Sequence, residues 1–176
     1  MPRLFVAINL PKEITEALYK GVLYLRDNSL SANPSRKENL HLTLAFIGET
    51  PKVNNAISAL KSINVTPFEI TLAGVGAFSS KEGKLCFAKA KESSSLSNAA
   101  TSVRGALAAY GFETDPKPFK PHITLCRQFA PSSSYKAEEL CTILPETSFP
   151  VGEISLMRSE RINGRLVYTE VFKKIL

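Results

Sequence analysis

Apolar residues recur at helical spacing in three stretches and in strand-like runs between them. Arg3 to Leu10 reads as a first strand. Pro11 suits an early helix position, and Lys12 to about Asn28 carries Ile14, Leu18, Val22 and Leu25 on one helical face. Asn33-Pro34-Ser35 reads as a loop. Leu40 to Ile47 is rich in β-branched and apolar residues and predicts a strand. Thr50-Pro51 opens a second helix, with Val53, Ile57 and Leu60 on one face. Phe68 to Ala77 and Leu85 to Lys91 form a predicted hairpin around Lys81-Glu82-Gly83-Lys84. Ser93 to Ser95 open the longest later helix, striped by Leu96, Ala99, Ala100, Val103, Leu107 and Tyr110, with Gly111 as its C-terminal cap. Pro116, Pro118 and Pro121 stiffen the approach to another strand, His122 to Cys126. A loop at Ser132 to Ser134 and a short helix over Ala137 to Leu144 follow. Phe149 to Arg158 and Arg165 to Phe172 read as a closing hairpin around Asn163-Gly164.

The order of elements repeats loosely: strand, helix, strand, helix, hairpin, then helix, strand, short helix, hairpin. It predicts an α+β fold of two similar lobes, with antiparallel sheets, helices on the outer faces and a central cleft. At 176 residues the chain is expected to be one domain, residues 1–176, with a core of ordinary size.

Within this pattern lies a second repeat. The chain has only two histidines, and they open the tetrapeptides His41-Leu42-Thr43-Leu44 and His122-Ile123-Thr124-Leu125. In a strand, residues i and i+2 share a face. His41 and Thr43 therefore point one way, and Leu42 and Leu44 point the other way into a core. The same holds for His122 and Thr124 against Ile123 and Leu125. Two imidazoles suit acid–base chemistry near neutral pH, where one ring is neutral while the other is charged. Hydroxyls beside them can donate to the oxygens of a phosphate. Two histidines with no neighbouring cysteine or carboxylate are too few ligands for a zinc site, so neither a metal nor another cofactor is expected.

Charge and cysteines alter this picture little. The chain carries 22 Lys and Arg against 16 Asp and Glu, a net charge of +6, which agrees with a polyanionic partner. Its three cysteines, Cys86, Cys126 and Cys141, show no metal spacing and read as reduced thiols of a cytoplasmic protein. The apolar run Leu4 to Ile8 is too short for a signal peptide or a membrane span.

The paired His-x-Thr-x motifs, about half a domain apart, resemble those of the two-histidine (2H) phosphoesterase superfamily. Arg3 to Ile8 before Leu10-Pro11 resembles the opening strand of the RNA 2′,3′-cyclic phosphodiesterases, also known as 2′-5′ RNA ligase-like or LigT-like proteins. Glu38 to Gly48 resembles their first motif region, and Pro121 to Arg127 the second, including an Arg five residues after the His. Ser155 to Ser159, Gly164 and Tyr168 resemble their closing strand pair. The family often has a Trp near Phe87, and this chain has none. The resemblance implies hydrolysis of RNA 2′,3′-cyclic phosphate ends to 2′-phosphates, and a monomer is expected. It makes His41 the proton donor and His122 the proton acceptor, with Thr43 and Thr124 binding the phosphate. It makes Arg127 a substrate contact, placed on the histidine face if its strand runs on unbent. Alternatives are 2′-5′ RNA ligation, a phosphodiesterase of small cyclic nucleotides, and an RNA-end-binding module without turnover.

Overall fold

The helical stripes and strand runs condense into a two-sheet α+β architecture in the computed structural model, which describes residues 1–176 apart from the side chain of Ser80. In chain order the elements are β1 (Arg3–Asn9), α1 (Lys12–Asp27), β2 (Ser29–Pro34), a 3₁₀ turn (Lys37–Asn39), β3 (His41–Glu49), α2 (Val53–Ser62), β4 (Phe68–Ser80) and β5 (Gly83–Ala90). They continue with α3 (Ser94–Ala109), β6 (His122–Pro131), α4 (Ala137–Ile143), β7 (Thr147–Val151), β8 (Glu153–Ile162) and β9 (Arg165–Ile175). Helix α1 buries Ile14, Leu18, Val22 and Leu25, the predicted face. Helix α3 starts where the Ser93 hydroxyl accepts from the Leu96 N–H at 3.2 Å, and it ends before Gly111, at φ +80°.

The first sheet has the order β3-β1-β8-β9 and the second β2-β6-β5-β4-β7, with every pairing antiparallel. The sheets do not divide the chain into halves. The hairpin β4–β5 pairs with the later histidine strand β6, and the closing hairpin β8–β9 pairs with β1 beside the earlier histidine strand β3. Helices cross over likewise: α1 and α4 pack on the second sheet, α2 and α3 on the first. Each lobe is thus completed by elements from the other half of the sequence.

Several strands run longer than the sequence expectation, β6 reaching Pro131 and β5 starting at Gly83, and two features differ in kind. Asn33-Pro34 is not a loop but the end of β2, an edge strand whose Asn33 and Pro34 oppose Arg127 and Cys126. Its Ser-rich sequence carries no apolar alternation because it lies at an edge, where Pro is also tolerated. The expected strand Phe149–Arg158 is two strands. The chain leaves the second sheet after Val151 and enters the first at Glu153, turning at Gly152, whose carbonyl accepts from the Leu176 N–H at 2.9 Å.

One apolar core underlies the helix-covered faces of both sheets, and it includes Leu42, Leu44, Ile123 and Leu125, each at most 1% exposed. Burying each such side chain contributes about 1.5–3 kcal/mol, which makes a register slip of either histidine strand costly. The three cysteines are free thiols, and burial, aided by the neighbouring Cys126, pushes Cys86 up to about 11. No helix among the described residues is long and apolar enough to cross a membrane.

Candidate active site

Each histidine is the first residue of its strand, and each is held by the backbone just before it. The Nδ1–H of His41 donates to the Asn39 carbonyl at 2.7 Å, and that of His122 donates to the Lys120 carbonyl at 2.6 Å. A carbonyl can only accept, so Nδ1 carries the proton in both rings and Nε2 is the position left for chemistry. At 3.0 Å from His41 Nε2 lies the Thr43 hydroxyl, which donates to the neutral ring. Asn39 ends the 3₁₀ turn before β3, and Lys120 lies in the proline-rich approach to β6.

Alternation then places Thr43 and Thr124 on the histidine faces, and in both strands it breaks at the same point. Ala7 opposes Thr43 and Val6 opposes Ala45, so Leu44 has no partner across β1. Phe87 opposes Thr124 and Cys86 opposes Cys126, so Leu125 has none across β5. Leu44 and Ala45 are both buried, as are Leu125 and Cys126. The extra residue reverses the alternation. Phe46 and Arg127, each five residues after its histidine, therefore emerge on the histidine side. This corrects the expected reason for the position of Arg127. An unbent strand would have turned it to the core with Leu125; the bulge turns it out.

Aromatic rings bed both imidazoles. His41 lies 4.9 Å from Phe5 and 5.2 Å from Tyr168, centroid to centroid. His122 lies 5.2 Å from Phe87 and 5.6 Å from Phe78. Phe5, Ala7 and Met157, with Tyr168 against them, form a small apolar cluster on the histidine face, separate from the main core. Phe87 packs over Gly76, where a Cβ would sit 2.6 Å from its ring. Phe87 is buried, so the ring near the family's Trp position supports His122 and offers no face to a base. Phe46, by contrast, is 53% exposed, 6.3 Å from Phe5. Sequence reasoning missed Phe5, Phe46, Phe78 and Tyr168. Matching the positions five residues after each histidine was the signal available for Phe46.

The two faces share one electrostatic space. Strands β3 and β6 approach within 8 Å between Cα atoms. Desolvation pushes the His41 pKa below its ordinary value; the Asn39 carbonyl bond opposes this, while the charges of Arg127 and His122 add to it. Burial pushes the Tyr168 hydroxyl up, against the charges of Arg127 and Arg3. Arg127, on the second sheet, therefore acts on two side chains of the first. Among the described residues no group of three or more His, Cys, Asp or Glu side chains is placed to hold a metal ion.

Fold and site together define a two-lobed α+β protein with one His–Thr pair on each facing sheet. The model of the 2′-5′ RNA ligase superfamily matches residues 14–163. An RNA 2′,3′-cyclic phosphodiesterase of Thermus thermophilus is 33% identical over 97% of this chain and 88% of its own length. One of Geobacillus stearothermophilus is 30% identical over 88% of this chain, which spans about half (51%) of that relative. The crystal structure of E. coli LigT complexed with 3′-AMP superposes with a TM-score of 0.75 at 28% identity, covering 100% of this chain and 99% of that one. The chain belongs to the 2′-5′ RNA ligase superfamily.

Proposed function

We propose that the protein is an RNA 2′,3′-cyclic phosphodiesterase that opens the cyclic ester to a 2′-phosphate with His41 and His122 as its acid–base pair and no metal. The observation that carries this is the matched anchoring of the two rings: each gives Nδ1–H to a backbone carbonyl and keeps Nε2 for the reaction. His122 Nε2 takes a proton from water as its oxygen bonds to phosphorus. The P–O3′ bond breaks on the opposite side, and His41 gives its Nε2 proton to O3′. Thr43 and Thr124 donate to the non-bridging oxygens, and Arg127 offsets their charge.

In the free protein His41 is biased toward the neutral form. To act as the acid it must gain a proton, and the phosphate anion supplies the bias by favouring an imidazolium beside it. Thr43 then turns its hydroxyl from Nε2 to the phosphate. Phe46, exposed beside Phe5, offers a face on which the terminal base stacks.

Incubation with RNA ending in a 2′,3′-cyclic phosphate, followed by phosphorus NMR, is the test. A 2′-phosphomonoester formed at an unchanged rate in chelator is expected. Binding without turnover would instead make the protein an end-binding module, and a chelator-sensitive rate would place a metal in the chemistry.

A further inference from the structure

A cavity of about 580 Å³ lies away from the histidines, at the end of the first sheet where β1 begins. Unequal strand lengths create it. Pairing of β1 with β8 stops at Arg3–Ser159, whereas β8 runs on to Ile162 against β9. Arg3, Arg158 and Arg161 line it, with Ser159, Glu49 and Glu160. Arg158 Nη1 stands 4.0 Å from Glu160, and its Nε–H is buried with no acceptor among the described residues. Neither Arg3 nor Arg161 forms an ion pair among the described residues; Arg161 makes only a long bond, 3.4 Å, to the Gly164 carbonyl. Arg3 and Arg161 leave their guanidinium groups outside any ion pair among the described residues although Glu49 and Glu160 share the lining, and unpaired guanidiniums are suited to anionic oxygens.

One row of side chains links the cavity to the candidate site. Arg3, Ser159 and Tyr168 stand in one row across β1, β8 and β9, on the face that carries His41's aromatic bed. Tyr168 touches His41 at 5.2 Å, and the charge of Arg3 reaches Tyr168. Alternation along β8 puts Arg161 on that same face, while Arg165 on β9 points from the other. A cyclic phosphate is a 3′ terminus, so the rest of an RNA strand leaves the site by its 5′ side and carries its next phosphate one nucleotide away.

We propose that this cavity binds the phosphodiester preceding the cyclic end, held by Arg3 and Arg161, so that the enzyme prefers an RNA strand to a mononucleotide. The inference rests on the cyclic phosphodiesterase reading. Its test compares adenosine 2′,3′-cyclic phosphate with the diadenosine dinucleotide ending in the same group. The dinucleotide is expected to show kcat/KM roughly tenfold higher, through KM. Its salt dependence should be steeper by about 0.7 in log–log slope, as for one more neutralised phosphate on a single strand. Arg3→Ala and Arg161→Ala should each shrink the ratio between the two substrates, and together bring it to about one. Arg165→Ala, which removes the same charge from the opposite face, should leave the ratio in place. Equal kcat/KM for the two substrates, or a ratio lowered as much by Arg165→Ala, overturns the proposal while the hydrolase reading stands. Turnover of neither substrate removes both.

Discussion

The two halves of the site share one backbone plan and differ in what that plan presents. In each, a histidine opens a strand and donates Nδ1–H to a carbonyl two residues earlier, and a bulge falls at the second apolar anchor. On the first sheet the turned-out residue is Phe46, and the imidazole is desolvated and bonded to Thr43. On the second it is Arg127, in a more open setting where the Lys120 ammonium lies 5.9 Å from the Phe78 ring. A near-symmetric device can hold two equivalent acid–base groups, but a nucleotide is not symmetric. The exchange of an aromatic for a cation at one matched position gives the cleft an aromatic side and a cationic side.

The largest effect should be shared by both halves. His41→Ala and His122→Ala are each expected to lower turnover by roughly 10²–10⁴-fold, with the circular dichroism of the fold retained. If one variant kept near-full activity, the halves would not be partners in one reaction. Next should come the matched pair that differs. Arg127→Ala is expected to weaken substrate affinity by about 1.5–3 kcal/mol, the value of a hydrogen bond to a charged group. Phe46→Ala should cost about 1–3 kcal/mol, and only with substrates that carry a base. Inhibition by inorganic phosphate separates the two, since it should weaken in the Arg127 variant and hold in the Phe46 variant; parallel behaviour would erase the distinction between the sides.

Gly76→Ala probes the second half's bed. Its Cβ would stand 2.6 Å from the Phe87 ring, so Phe87 must shift beneath His122. A loss of about 1–3 kcal/mol in urea-midpoint stability is expected, with lowered kcat; an unchanged kcat would show that the bed does not position the ring. The smallest effect concerns pH and the first half. His41 has its pKa lowered from 6.5 by folding, so between 6.5 and the lowered value the unfolded chain binds more protons. Stability should therefore fall as pH drops from about 6.5 through that lowered value, and show no contribution from His41 above it. Urea titrations at pH 7.5 and at about pH 5 should show a larger acid loss for the unaltered protein than for His41→Gln. Equal losses would mean the ring is not desolvated.

Much of this was legible in local pattern. The stripe of α1, the stripe and C-terminal glycine of α3, and the Asn163-Gly164 turn, with both residues at positive φ, depend on neighbours in sequence, where spacing and backbone preference act directly. The two tetrapeptides were legible for the same reason, since strand alternation alone sends Leu42, Leu44, Ile123 and Leu125 inward and keeps each threonine with its histidine.

Partnership between distant segments was not legible. That β2 is a strand, that the chain changes sheets at Gly152, and that each hairpin completes the other half's sheet depend on hydrogen-bonding partners far along the chain. The bulges belong to the same class, because a residue is extra only relative to the strand opposite it, and from them follow the outward turn of Phe46 and Arg127. The sequence by itself determined two histidine–threonine faces and their buried anchors, because side-chain alternation is a property of a single strand. Only the tertiary structure decided that these faces share one electrostatic space, what beds each ring, and which side chains stand beyond them, because those depend on register between strands that no local pattern specifies.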